Sequence, residues 1–165
     1  MSNPRYVPRD CAVEPKLFGR ANDLEWKSLG EITGMYPHLA DTEPRGRALL
    51  LAARLQHRYA RRIRGRLKAT DTNLKSYAAD AGVGYDRMVK VLRGSAVLRL
   101  EDIATADVLI GQVSELSIAE ARVARLTRAH GQAAAAQRAR DNDLSKWKAI
   151  RDELAKVMPA HERPQ

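Results

Sequence analysis

Apolar residues recur along this chain at three- and four-residue steps and nowhere alternate with polar ones over the length of a strand, so the pattern predicts an all-α protein. The most regular stretch is 74–94, LKSYAADAGVGYDRMVKVLRG, which predicts two short helices about a glycine-marked turn. A helix over 74–81 gathers Leu74, Tyr77, Ala78 and Ala81 on one face, and small Ala78 lets a neighbouring helix approach. Gly82 stands where that helix must stop and the backbone turns left-handed, with Val83 filling the corner. A second helix over 85–93 turns Met88, Val91 and Leu92 inward. It leaves Asp86, Lys90 and Arg93 outward, flanked by Tyr85, Arg87 and Val89.

The flanking segments carry the same periodicity. Over 45–67 a long amphipathic helix is expected, with Leu49, Ala52, Ala53, Tyr59, Ala60, Ile63 and Leu67 on its apolar side. Arg54, Arg58, Arg61, Arg62 and Arg64 crowd its other side and margins. Asn73 is suited to cap the helix that begins at Leu74. A short helix over 100–110 should bury Leu100, Ile103, Ala104 and Val108, with Leu109 or Ile110, and end at Gly111.

Ser117 and Glu120 form a capping-box pattern for a shallowly buried helix to about His130, with Ile118, Ala121, Leu126 and Ala129 as its stripe and Gly131 after it. The alanine-rich residues 132–140 either continue that helix or link it to a last one over 144–158. There Leu144, Trp147, Ile150, Leu154 and Val157 make a stripe about two heptads long, as suited to the chain's own core as to a dimer seam. Residues 159–165 read as a frayed tail.

Upstream, a short helix around 23–33 would bury Leu24, Leu29 and Ile32, with Trp26. Residues 1–20, with three prolines and no periodicity, read as an extended arm whose Arg5 and Arg9 would reach a minor groove; a disordered terminus is the blander reading and carries more weight. The expected organisation is an arm and short helix over 1–43, a central domain over 44–113, and a helical extension over 114–165 for oligomerisation or core packing.

Charge changes the picture most. The formal net charge is +9, yet residues 44–94 hold 13 Lys and Arg against 3 Asp and Glu, leaving 16 against 17 elsewhere. A patch so localised suits a polyanion; a solvated face explains any single arginine but not the cluster. Like charges at this density repel along the 45–67 helix unless an anion neutralises them. Arg54, Arg58, Arg61, Arg62 and Arg64, with Lys75, are therefore candidate phosphate contacts. An outward row of hydrogen-bonding side chains on a short helix is what reading base edges requires, so Tyr85, Asp86, Arg87, Lys90 and Arg93 are the candidate base-reading residues.

Catalysis has little support. Asp80 and Asp86 are separated by the turn, Gly82-Val83-Gly84 has no strand before it, and no Ser/His/Asp or Cys/His grouping is suggested. A single Cys11 and the scattered His38, His57, His130 and His161 do not have metal-ligand spacing, so no metal or cofactor is expected. Without an apolar leader or a membrane-length run, a cytoplasmic protein is expected.

Ala78, Gly82, Val83, Met88, Val91, Gly94 and the following LEDIATADVLIG together resemble the lambda repressor and Cro type of helix-turn-helix domain, over about residues 59–113. The resemblance implies a compact domain of four or five helices that binds double-stranded DNA, usually as a dimer on a palindromic operator. It also implies base contacts from Tyr85, Asp86 and Arg87, then Lys90. The expected function is a sequence-specific transcriptional regulator, a dimeric repressor of phage or mobile-element type. Two alternatives stay open: RNA or nonspecific DNA binding through the arginine-rich helix, and an antitoxin-like adaptor whose helices over 114–165 hold a protein partner.

Overall fold

α2, Glu43–Ala69, is the element against which the first part of the molecule packs. Pro44 in its first turn lacks only an N–H that a helix start leaves unbonded anyway, while Glu43 at the start and Arg66 and Lys68 at the end complement the helix dipole. Its buried positions Ala53, Gln56, Ala60, Ile63 and Leu67 succeed one another at three- and four-residue steps. The computed structural model describes residues 5–157, and in it six α-helices and two 3₁₀ turns make up an all-α architecture without a strand among those residues. None of the helices is long and apolar enough to cross a membrane.

Two apolar clusters lie along α2. Its second half joins α3 (Leu74–Asp80), α4 (Tyr85–Leu92) and α5 (Leu100–Leu109), burying Ile63, Leu67, Tyr77, Ala78, Met88, Leu92 and Ala106 together. Asn73 caps α3 by accepting from the Ser76 N–H at 2.8 Å, and Gly82 takes the left-handed turn at φ +64°. These elements lie where the periodicity predicts them, within a residue or two.

The first half of α2 packs with α1, Leu29–Met35, and with the N-terminal segment, around Cys11, Ile32, Tyr36, Ala40 and Ala53. Here the expectations need correction. The helix predicted over 23–33 begins instead after Ser28, because Ser28 and Glu31 form a capping box, the Ser28 N–H donating to Glu31 at 2.8 Å. Residues 22–26 are not helical; Trp26 forms an isolated antiparallel bridge with Ala12, the Val13 N–H donating to Glu25 and the Lys27 N–H to Cys11. Residues 5–20 are not a loose arm: Cys11, Ala12 and Phe18 are buried, and Tyr6 donates to the Leu49 carbonyl at 2.7 Å. The N-terminal segment and α1 belong to the same compact unit as α2 to α5, a unit that runs to Ala119 without a boundary at residue 43.

α5 is turned differently from its apolar pattern. Leu100 and Val108 are more than four-fifths exposed, and Asp102, Ala106 and Ile110 face inward. The cause is polar: bonds to the Asp102 carboxylate hold that residue inside, and positions four and eight further on share its face.

The second compact unit begins at Glu120 and consists of most of α6, Glu115–Val157, a single helix of 43 residues where two were expected. Gly131 does not end it; the Ala133–Ala136 run beside it has the strongest helix propensity available. Ser117 is not its cap. Ser114 Oγ accepts the Ser117 N–H at 3.1 Å, and the Ser117 hydroxyl goes to Asp107 of α5, whose carboxylate also takes the N–H groups of Val113 and Ser114. Along the unit Leu126, Leu144, Trp147 and Ile150 are exposed. Met158 and the tail at 159–165 lie outside the described residues.

Candidate nucleic-acid interface

α4 stands on the buried Met88, Val91 and Leu92 and is tied down at both ends. Near its start the Arg87 guanidinium donates two parallel hydrogen bonds to Asp102, at 2.8 and 3.0 Å, and the Arg99 N–H donates to the same carboxylate at 2.8 Å. Burial works to raise the pKa of Asp102, but Arg87 and Arg99 outweigh it, and the carboxyl titrates below its ordinary value. Past its end, buried Gln56 of α2 donates to the carbonyls of Val91 and Ala96, at 3.0 and 2.7 Å, and accepts the Leu98 N–H at 2.9 Å. One amide thus satisfies three backbone groups where the chain leaves the helix.

What remains outward is Tyr85, Asp86, Lys90 and Arg93, all exposed. Among the described residues Lys90 and Arg93 enter no ion pair, and neither does Lys75, exposed in the first turn of α3. The guanidinium of Arg87, expected among the base-reading groups, is bonded to Asp102 and ties α4 to α5.

The arginines of α2 do not form one face turned to solvent. Arg58 and Arg62 converge on Glu115, at 3.3 and 2.9 Å, and Arg62 also donates to the Val113 carbonyl at 3.1 Å. Arg66 joins that ridge, donating through Nε and Nη2 to the Ile110 carbonyl at the end of α5, at 3.0 and 2.9 Å. On another side Arg61 bonds to Asn22, and Arg54 lies over the Trp26 ring at 5.7 Å from its centroid. Arg64 is half-buried, and its pKa is lowered by burial and then by the charges of Arg20 and Arg93 beside it. Much of the repulsion that seemed to demand phosphate is relieved within the molecule, by Glu115 and by carbonyl oxygens. Arg58 and Arg62, expected to grip phosphate, thus have acceptors within the molecule.

Gln56 carries a signal that the periodicity alone does not use: it sits on the same stripe as Ala53, Ala60 and Ile63, where a lone amide marks a buried polar bond. Glu115 has none, because its partners Arg58 and Arg62 are distant in sequence. No family model matches this chain, nor does any curated protein or solved structure.

Proposed function

We propose that this protein is a sequence-specific double-stranded DNA-binding transcriptional regulator, in which α3 and α4 act as a helix-turn-helix of the lambda repressor and Cro type. One observation carries the reading: α4 presents Tyr85, Asp86, Lys90 and Arg93 outward from a helix whose other side is buried and bonded at both ends. An α-helix with its side chains is about 10–12 Å across, which a B-DNA major groove about 12 Å wide admits. Lys90 and Arg93 donate to guanine edges, Asp86 accepts from a cytosine amino group, and Tyr85 packs at the entry of the helix into the groove. Lys75 contacts a phosphate beside it, and Arg54 and Arg61 add charge from α2. No catalytic step or cofactor enters this reading.

On this reading the protein is a cytoplasmic repressor that binds as a homodimer to half-sites about 10 bp apart. Leu144, Trp147 and Ile150, exposed at three-residue steps on α6, support a helical partner for the second unit, in the first instance a second copy. Selection of binding sites from random duplex DNA tests the proposal. An enriched, palindromic motif is expected, bound at least a thousandfold more tightly than scrambled duplex. Equal binding to every duplex, or preference for structured RNA, would overturn it.

A further inference from the structure

The segment that precedes α1 brings cations of its own to the C-terminal end of α4. Its Arg9 N–H donates to the Gly94 carbonyl at 3.1 Å, and its buried Phe18 lies so close to Gly94 that a Cβ there would come within 2.6 Å of the ring. Gly94 also has φ +70°, so this junction tolerates no side chain. The packing forms a cleft of about 290 Å³ lined by Arg9, Lys16, Arg20 and Arg93, with Pro15 and Phe18 as its apolar wall. Arg64 of α2, outside the cleft lining, is near enough to feel the charges of Arg20 and Arg93.

Among the described residues the acid paired with this group is Asp10, 3.6 Å from Arg9 Nε and too far for a hydrogen bond. Among the described residues Lys16, Arg20, Arg64 and Arg93 enter no ion pair. Two donors, Nε of Arg9 and Nε of Arg64, are buried without a hydrogen-bond partner. Cations held together by a rigid backbone, with donors left over, fit an anion with several acceptor oxygens.

We propose that Arg9, Lys16, Arg20 and Arg64, beside the base-reading Arg93, form a phosphate clamp at the end of α4 that grips the DNA backbone flanking the groove. The clamp rests on the DNA-binding reading above and adds to it: affinity comes from the N-terminal segment, and sequence from α4. Arg93 sits where the two meet.

Lys16→Gln and Arg20→Gln, both at exposed positions, test it in the full chain. Each should weaken binding to the selected site and to scrambled duplex alike, about fivefold at 0.15 M salt. Each should also flatten the slope of log K against log salt by about 0.9, and the double variant by about 1.8. Melting temperature should hold or rise, because repulsion is relieved, which separates the effect from misfolding. Unchanged slopes in variants of a protein that does bind duplex overturn the clamp and leave the DNA-binding reading standing. If the wild type binds no duplex, that reading falls, and titration with inorganic pyrophosphate decides the clamp: shifts in the Nε–H resonances of Arg9, Arg20, Arg64 and Arg93 support it, and their absence overturns it.

Discussion

α2 and α4 are both rich in cations and both partly exposed, but their charges have opposite fates. On α2 the guanidinium groups of Arg58, Arg62 and Arg66 turn to Glu115 and to the carbonyls that end α5, and Arg61 turns to Asn22. On α4 only Arg87 is drawn inward, and Lys90 and Arg93 stay outward. The difference teaches that charge density in a sequence measures attraction to any anion, including the protein's own. A cation is freest to meet a partner where the fold gives it no acceptor.

The contrast can be broken most severely at Gln56. Gln56→Leu strands the Val91 and Ala96 carbonyls and the Leu98 N–H and should cost about 3 kcal/mol in chemical unfolding, with loss of the α4 surface. A cost under about 1 kcal/mol would mean that α4 is held mainly by its apolar face.

Arg87→Ala should come next, at about 2 kcal/mol, because it leaves the Asp102 carboxylate inside with a single backbone donor. The same pair sets an acid limit. With its pKa depressed in the fold, Asp102 contributes stability at neutral pH that is lost as pH falls through that value, the unfolded chain taking up the proton first. Unfolding measured from pH 6 to pH 2 should show this loss in the wild type and a smaller one in Asp102→Asn; identical profiles would count against the ion pair.

The smallest effects belong to α2. Arg58→Gln and Arg62→Gln should shift the melting temperature by no more than about 2 °C each, since their pairing with exposed Glu115 is screened by water and salt. Larger shifts would show that the Arg58, Arg62 and Arg66 ridge is a main tie between α2 and the end of α5.

Much of the α3 to α4 region was legible in the sequence because it is built locally. Asn73 caps, Gly82 turns, and Tyr77, Ala78, Met88, Val91 and Leu92 bury themselves at intervals of one helical turn. The N-terminal segment was illegible for the opposite reason. The segment that buries Cys11, Ala12 and Phe18 is placed by bonds from Arg9 to Gly94, from Val13 to Glu25 and from Lys27 to Cys11, partners that no periodicity connects. α5 misled because its apolar pattern points one way while a buried carboxylate, answering an arginine fifteen positions earlier, turns it another. In the candidate interface, the outward places of Lys90 and Arg93 come from helical spacing, whereas the engagement of Arg58, Arg62 and Arg87 depends on acids far along the chain.

The division of labour between the helices requires that the outward row of α4 distinguish sequences and that the bonded arginines of α2 do not. The ratio of affinities for a selected site and a scrambled duplex, measured at one salt concentration for Lys90→Ala and Arg62→Ala, tests this directly. Lys90→Ala should lower that ratio about tenfold or more, the worth of one base contact, and Arg62→Ala should leave it unchanged. Equal ratios in both variants and the wild type would contradict the assignment of sequence reading to α4.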